Sequence, residues 1–258
     1  MTAAAIPSDY VEHAPPAALG EYVECFWTRG ESSVADAKHH ILPDGCIDIV
    51  LCYRSGAAGE NPSATLAVGT MTRPLSVDAT EAAVFVGARF WPGRALPFLG
   101  VPASAITDLR VDVGDLWPRR GDGLANIKGH ELGAWRLAFE RLLVRRLESA
   151  RPVDVTVDAA LGAILRAGGN LSIASLAPAL GVTRQHLARA FAMHVGVPPK
   201  MFARVARVRR VLAKARVATR VDWSALALDA GFYDQAHLSG EIRELTGRTP
   251  TEWVVASH

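Results

Sequence analysis

The sequence predicts an α+β protein whose N-terminal part consists mainly of β-strands and whose C-terminal part is all α-helical. In the first part, Pro, Gly, Asn and Asp turns separate short segments rich in β-branched and aromatic residues, a pattern typical of strands. After Pro102, apolar residues recur at steps of three and four, a pattern typical of helices. Residues 149–154 include a proline and are the best candidate for a linker, so we expect one domain over residues 1–150 and a second over residues 151–258.

The strand pattern predicts a β-sandwich or a β-barrel in the N-terminal domain. It occurs in residues 24–28, 46–53, 64–70 and 82–90. A helix is predicted over residues 130–148, with an apolar stripe at Leu132, Trp135, Phe139, Leu142, Leu143 and Leu147. Leu137 and Val144 lie on a different face of this helix. The two apolar faces indicate either a homodimer through residues 130–148 or a helix that is buried on both faces within one chain.

Charge divides the chain in the same place as the secondary structure. Residues 1–150 carry 14 Lys+Arg and 18 Asp+Glu, a net charge of −4, whereas residues 151–258 carry 14 and 8, a net charge of +6. The C-terminal part is therefore basic enough to bind a polyanion.

Arg89 and Arg94 interrupt the longest apolar stretch, residues 82–106, so we expect no membrane span. The first residues lack a secretory pattern, so we expect a cytoplasmic protein.

The C-terminal part contains an internal repeat with an offset of about fifty residues. The copies cover residues 175–191 and 224–242, and in each a Leu-Ala pair precedes a glycine, Gly181 or Gly231, by five and four residues. A small Ala lets two helices cross closely, and a Gly accepts the left-handed conformation that ends the first helix. This spacing predicts a helix-turn-helix in each copy.

Each copy continues with the spacing Gly-x-x-Pro-x-x-aromatic, in which a helix ends and the next begins. The residues are Gly196, Pro199 and Phe202 in the first copy and Gly247, Pro250 and Trp253 in the second. Between the copies, residues 200–217 predict a long helix that carries Arg204, Arg207, Arg209, Arg210, Lys214 and Arg216, most of which we expect on a solvated face. A rigid helix can hold two helix-turn-helix units at the spacing of successive major grooves, about 34 Å.

Residues 153–256 resemble the DNA-binding domain of the AraC/XylS family of bacterial transcription regulators. That resemblance implies two recognition helices, one from Thr183 to about His194 and one from Asp234 to about Leu245. By motif position, the side chains available to DNA are Thr183, Arg184, Gln185, His186, Arg189, Tyr233, Asp234, Gln235, His237 and Ser239. Arg and Gln are suited to reading guanine and adenine, whereas the two histidines are equally consistent with capped surface residues. Gly240 stands where the family often has an arginine that faces DNA, so the second unit is expected to read sequence weakly.

The N-terminal part resembles the β-rich domain of one AraC-type subgroup, which carries an LPDGC-type motif. The matching segments are residues 22–27, 41–50, 72–74, 87–93 and 98–109. The resemblance implies a cupin-like β-barrel with trailing helices that binds a small effector and helps to form a dimer. It does not identify the ligand.

Candidate effector-binding residues are Trp27, His40, Asp44, Cys46, Asp48, Arg73, Arg89 and Trp91. An Asp inside a barrel needs a partner, and either Arg89 or Arg73 can supply one to Asp48. The same residues are consistent with a buried turn and an ion pair that only stabilise the domain, and both interpretations stay open. Adjacent histidines point to opposite faces of a strand, so we expect no metal and no cofactor.

The sequence also bears on enzymatic activity. It contains no phosphate-binding loop, no dinucleotide fingerprint and no G-x-S-x-G elbow, so we do not expect an enzyme. The two family resemblances together imply a sequence-specific DNA-binding transcription regulator under the control of a small molecule. One alternative is an effector-independent DNA binder whose N-terminal domain only dimerises, and another is a stoichiometric sensor that uses Cys46 or Cys52. The expected partners are a double-stranded DNA operator, a small effector, a second copy of the chain and, for an activator, RNA polymerase.

Overall fold

The computed structural model describes residues 10–30, 39–54, 61–77, 83–117, 123–124, 127, 131–147 and 153–255. Strands dominate the N-terminal part of the described chain, and only helices follow it. The strands are β1 (Tyr10–His13), β2 (Val23–Arg29), β3 (His39–Ile41), β4 (Ile47–Arg54), β5 (Ala64–Val68), β6 (Leu75–Val77), β7 (Ala83–Phe90) and β8 (Arg110–Asp112). The predicted order of a β-rich domain and then a helical double helix-turn-helix domain is confirmed.

The helices fall into two groups. Three belong to the N-terminal domain: α1 (Leu96–Leu99), α2 (Val113–Leu116) and α3 (Leu132–Leu147). The C-terminal helices are α4 (Val155–Arg166), α5 (Ile173–Ala179), α6 (Arg184–His194), α7 (Pro199–Val217), α8 (Trp223–Asp229), α9 (Gln235–Thr246) and α10 (Pro250–Val255). Among the described residues, no helix is both long enough and apolar enough to cross a lipid bilayer.

Six strands form one antiparallel sheet in the order β1-β2-β7-β4-β5-β8. Within the described residues, β1 and β8 are the edges of this sheet, and β3 pairs with β6 in a separate two-stranded ladder. The expectation of a closed cupin-like barrel is therefore wrong. The three-residue strands β3 and β6 hydrogen-bond to each other, so they do not join the two edges of the larger sheet.

Helix α3 covers one face of the six-stranded sheet and completes the N-terminal core. Trp135 stacks on Tyr53 with ring centroids 4.0 Å apart, and Phe139 meets Phe26 edge-on at 5.7 Å. All four side chains are at most 5% exposed. The apolar stripe that the sequence predicted on this helix thus faces the sheet, and burial of such side chains contributes about 1.5–3 kcal/mol each.

The C-terminal helices build two small cores that share one helix. The first core contains side chains of α4, α5 and α6 together with Phe202 from the start of α7. The second contains side chains of α8, α9 and α10 together with Val208 and Leu212 from the rest of α7. The turns of the two units match: Gly181 and Gly231 have φ angles of 71° and 75°, the left-handed conformation that their position in the repeat requires.

The N-terminal end of the C-terminal domain is capped. Asp154 accepts hydrogen bonds from the main-chain N–H groups of Thr156 and Val157 at 2.9 and 3.0 Å, so helix α4 begins after it. Of the predicted linker, residues 149–152 lie outside the described residues.

Candidate functional site

The first recognition helix is α6, and its bounds agree with the repeat. Thr183 precedes it and accepts a hydrogen bond from the main-chain N–H of His186 at 3.1 Å, which is the geometry of an N-cap. Leu187 and Phe191 anchor the opposite face of the helix in the first core. The helix is thereby fixed with its N-terminal turn directed outwards.

The outer face of α6 carries the five side chains that the sequence assigned to DNA in the first unit. Thr183, Arg184, Gln185, His186 and Arg189 are all exposed. Apart from the Thr183 cap, no described residue forms a side-chain hydrogen bond or ion pair with them. Their donors are therefore free for base edges and phosphates, and two of the side chains are cationic.

The second recognition helix is α9, and Asp234 caps it by accepting a hydrogen bond from the main-chain N–H of His237 at 2.7 Å. Two polar side chains of this helix are bonded within the chain. The Gln235 side-chain oxygen accepts a hydrogen bond from the Ser224 hydroxyl at 2.9 Å, and the Ser239 hydroxyl donates to the main-chain carbonyl of Gln235 at 2.8 Å. A bidentate contact to adenine uses both the oxygen and the nitrogen of a Gln amide, and Gln235 has only its N–H donors free for it.

Three further positions define the surface of the second unit. Tyr233 is 88% exposed just before the cap, and the His237 ring lies edge-on to Phe232 with centroids 5.3 Å apart. A Cβ atom added at Gly240 would meet nothing within 4 Å, so this exposed helical glycine has no packing role. Open space at Gly240 agrees with the expectation that this position faces outwards but lacks a reading side chain.

The basic residues of α7 differ from the expectation of a solvated face. The Arg204 guanidinium donates to Glu241 at 2.9 Å and to Glu244 at 2.6 Å, both on α9. Arg210 and Lys214 contact the Asp229 carboxylate at 3.2 and 2.6 Å. These cations hold the second unit on the connecting helix. The acidic residues Asp229, Glu241 and Glu244 of the second unit were the signal in the sequence that could have indicated this pairing.

Arg207 of α7 also contacts the second unit, but its partner is an aromatic ring. Its guanidinium carbon lies 4.2 Å from the centroid of the Phe232 ring, and it donates to the Gly231 carbonyl at 3.4 Å. Burial lowers the pKa of Arg207, whose half-buried guanidinium is held against the turn of the second unit. Arg207 therefore stabilises the turn ahead of the second recognition helix.

A second candidate site lies in the N-terminal domain, on the face of the sheet opposite α3. The Trp27 indole N–H donates to Asp48 Oδ1 at 2.8 Å, and Arg89 Nε lies 3.4 Å from the same oxygen. Asp44 Oδ2 is 3.8 Å from Arg89 Nε, and Asp44 Oδ1 accepts a hydrogen bond from the main-chain N–H of Cys46 at 2.9 Å. We call Trp27, Asp44, Cys46, Asp48 and Arg89 the Arg89 cluster.

The cluster is buried, and its charges depend on each other. Arg89 is 8% exposed, and its Nε forms no well-aligned hydrogen bond. Burial raises the pKa of Asp48, and the Arg89 guanidinium opposes this rise. The neighbouring Asp48 carboxylate in turn raises the pKa of Arg89. Arg89 is therefore the partner that the sequence analysis required for Asp48.

Two of the other predicted effector residues, Arg73 and Trp91, lie outside this cluster. Arg73 is exposed, with no ion pair to Asp48 among the described residues, and Trp91 is 42% exposed just after β7. His40 lies in β3. Five of the eight predicted residues are thus brought together, and Arg73 and Trp91 are not.

The cysteines show little of the character of reactive thiols. Cys25 and Cys46 are buried, and burial raises the pKa of Cys25 to about 12 and that of Cys46 well above its usual value. Reactivity of cysteine requires the thiolate, which a low pKa favours. This argues against Cys46 in the alternative of a stoichiometric thiol sensor.

Two family models match separate parts of the chain. Residues 176–255 match the family described as a helix-turn-helix domain, and residues 11–112 match a family described as a domain of unknown function, DUF6597. A search of curated proteins finds no match. The resemblance to AraC-type DNA-binding domains is thus supported over both helix-turn-helix units, whereas the LPDGC motif has no counterpart in these findings.

Solved structures similar to the chain are transcription regulators. An AraC-type DNA-binding protein from Chromobacterium violaceum is 22% identical, with 39% of this chain and 90% of that chain covered and a TM-score of 0.37. A probable AraC family regulator from Rhodopseudomonas palustris is also 22% identical, with coverages of 41% and 99% and a TM-score of 0.37. ToxT from Vibrio cholerae, solved with a bound unsaturated fatty acid, is 10% identical, with coverages of 96% and 94% and a TM-score of 0.44.

The buried charges of the Arg89 cluster lead to a prediction about stability. We expect Arg89→Met to lower the free energy of unfolding by about 3–5 kcal/mol at neutral pH, because it leaves two carboxylates buried without their cation. The loss should shrink on acidification. Without the guanidinium, the pKa of Asp48 rises further above its unfolded value, so the native variant binds a proton that the unfolded chain does not bind, and its stability falls as pH increases.

Urea denaturation of wild type and variant from about pH 5 to pH 7 measures this effect. The double variant Arg89→Met/Asp48→Asn is the control, and it should recover part of the loss because it removes one of the unpaired charges. A deficit of equal size at every pH would show that Arg89 acts through packing alone.

Proposed function

We propose that this chain, whose C-terminal part is an AraC-type helix-turn-helix DNA-binding domain, is a sequence-specific transcription regulator controlled by a small molecule that acts on its N-terminal domain. The observation that carries the proposal is the exposed Arg and Gln face of α6, presented by a domain with a net charge of +6 in residues 151–258. The role is binding and regulation, and no catalytic step is required.

The length of the connecting helix suits two neighbouring major grooves. Helix α7 has 19 residues, which at a rise of about 1.5 Å per residue spans about 28 Å. Successive major grooves on one side of B-DNA lie about 34 Å apart. Because both cores pack on α7, the two recognition helices are held at a fixed separation and can meet one face of an operator together.

The two units contribute unequally to specificity in this proposal. Arg184, Gln185 and Arg189 on α6 have free donors, whereas Gln235 and Ser239 on α9 are bonded within the chain. The first unit therefore selects the base sequence, and the second unit mainly adds backbone contacts and orientation.

Control by an effector is supported by the Arg89 cluster. Packed apolar residues stabilise a core at least as well as a buried ion pair, and buried ionisable groups with shifted pKa values concentrate at functional sites. We propose that a ligand binds beside this cluster and alters the pairing of Arg89 with Asp44 and Asp48. RNA polymerase is a further partner if the regulator activates transcription.

We also propose a homodimer through the outer face of α3, because a two-fold dimer would bring two DNA-binding domains to one operator. Leu137 is 44% exposed on this face, whereas Val144 is half-buried and packs on the N-terminal core. The sequence suggested Leu137 and Val144 for the dimer contact, and we now centre the proposed contact on Leu137 alone.

The DNA-binding proposal is tested by Arg189→Ala. A duplex selected from a random library by the wild-type chain serves as the specific probe, and a scrambled duplex serves as the non-specific one. We expect the variant to lose about 1–3 kcal/mol of discrimination between the two, because a bidentate Arg–guanine contact supplies about that much. Fluorescence anisotropy at one salt concentration measures both affinities.

Two matched variants sharpen this test. Lys200→Ala removes the same charge from an exposed position at the start of α7 and should weaken both probes equally. Gln185→Ala should alter site preference more than Gln235→Ala, the variant at the only Gln in the first turn of the second recognition helix. If Arg189→Ala and Lys200→Ala give equal losses and an unchanged preference, the placement of the reading face is wrong.

Effector control is tested by thermal unfolding of the full chain with a panel of small metabolites. A ligand at a hundred times its dissociation constant adds about 2.7 kcal/mol to stability. We expect Arg89→Met to abolish this stabilisation for the effector. A panel that leaves both stability and DNA affinity unchanged would favour the alternative of an effector-independent DNA binder.

The dimer is tested by sedimentation of the full chain at micromolar concentration. We expect a dimer in the wild type and a monomer in Leu137→Glu, because a charge in the centre of an apolar contact is costly to bury. Leu109→Glu, the same substitution at a 51% exposed position outside α3, is the control for an added negative charge. A monomeric wild type contradicts the proposal.

A further inference from the structure

A four-residue turn of the N-terminal domain lies where the two helix-turn-helix units meet on α7. The turn is Leu42-Pro43-Asp44-Gly45, and we call it the LPDG turn. Leu42 packs on the second core, and a Cβ atom added at Gly45 would lie 2.4 Å from the Phe202 ring of the first core. The Arg209 guanidinium of α7 donates to the Asp44 carbonyl at 3.1 Å. The turn thus contacts both units and the helix that joins them.

Asp44 connects this contact to the Arg89 cluster. Its carboxylate lies 3.8 Å from Arg89 Nε and accepts the main-chain N–H of Cys46, while its carbonyl accepts the Arg209 guanidinium. One residue therefore touches the buried ion cluster with its side chain and the DNA-binding domain with its main chain. Gly45 has a φ angle of 83°, which only glycine adopts readily, and the lack of a side chain lets the turn approach the Phe202 ring closely.

Other contacts dock the two domains without covering the reading face. The Thr70 hydroxyl donates to the Val195 carbonyl at 2.5 Å, and the Thr107 hydroxyl donates to the Gly196 carbonyl at 2.7 Å, just beyond the C-terminal end of α6. The side chains proposed to read DNA in α6 lie at the other end of this helix and stay exposed. Docking therefore affects how the two units are held and does not block access to DNA.

We propose that the LPDG turn is a latch that transmits the state of the Arg89 cluster to both helix-turn-helix units. When Arg89 pairs with Asp44, the turn is fixed against Arg209 and Phe202, and the N-terminal domain braces α7. When a ligand draws Arg89 away from Asp44, the turn loosens, and the brace on α7 weakens. The effector step rests on the proposed function, whereas the mechanical link from Asp44 to α7 does not.

The latch is tested by hydrogen–deuterium exchange on the full chain, followed by mass spectrometry. We expect Arg209→Gln to speed exchange about tenfold in two peptides, residues 41–47 and residues 194–203. A tenfold change corresponds to about 1.4 kcal/mol, close to the smallest loss expected for a hydrogen bond to a charged donor. Arg166→Gln removes the same charge from an exposed position on α4, outside both peptides, and should change neither peptide by more than about twofold.

Transmission from the cluster is tested by Asp44→Asn. The asparagine can still accept the Cys46 N–H, so the main change is the lost attraction to Arg89. We expect faster exchange in residues 194–203, which the Asp44 side chain does not touch. Asp112→Asn is the matched control, since Asp112 also accepts a main-chain N–H two residues ahead, that of Gly114, at 2.7 Å. It should leave residues 194–203 unchanged.

The double variant Asp44→Asn/Arg209→Gln decides whether the two contacts form one latch. A single latch predicts that the second substitution adds little to the first in residues 194–203. Additive effects, or an effect of Asp44→Asn confined to residues 41–47, would overturn the proposal. Because the readout needs neither DNA nor a ligand, a chain that fails to bind DNA would refute the proposed function and leave the latch standing.

Discussion

Helix α7 belongs to both helix-turn-helix cores, and the rest of the DNA-binding domain depends on this sharing. Phe202 lies in the first core and Leu212 in the second, so neither unit can turn about the helix without opening a core. Cores this small have little apolar area to spare, and ion pairs between α7 and the second unit add to the contact. The fixed separation of the recognition helices follows from packing and requires no DNA to impose it.

The N-terminal domain also contacts α7 and the two helix-turn-helix units that pack on it. Its contacts with the helical domain include hydrogen bonds to main-chain carbonyls from Thr70, Thr107 and Arg209. They also include an ion pair between Arg94 and Asp158, and Leu42, which packs on the second core. Polar contacts of this kind are common between domains that move relative to each other. In the proposed mechanism, a change in the Arg89 cluster tightens or loosens this interface at Asp44.

The sequence predicted the helical domain far better than the sheet. Gly181 and Gly231 recur in a repeat whose spacing has one physical interpretation, so both recognition helices were placed to within a residue. Closure of the sheet depends on which strands pair over long sequence separations. Strand β3 has only three residues, too few for an alternation of apolar and polar side chains that could indicate its pairing with β6. The partners of Arg204 and Arg209 likewise depend on tertiary contacts that a charge count does not contain.

Under the proposed function, the charges of the two recognition helices imply that the second unit needs a rigid support on DNA. Helix α6 carries Arg184 and Arg189 and no acidic residue, a net charge of +2, whereas residues 234–246 carry three acidic residues and one Arg, a net charge of −2. Phosphates attract the first helix and repel the second. The ion pairs of Arg204 with Glu241 and Glu244 offset part of this repulsion. In the proposed complex, the affinity of the first unit brings the second unit to the duplex through α7. If the proposed latch braces α7, the bracing contributes directly to how the operator is bound.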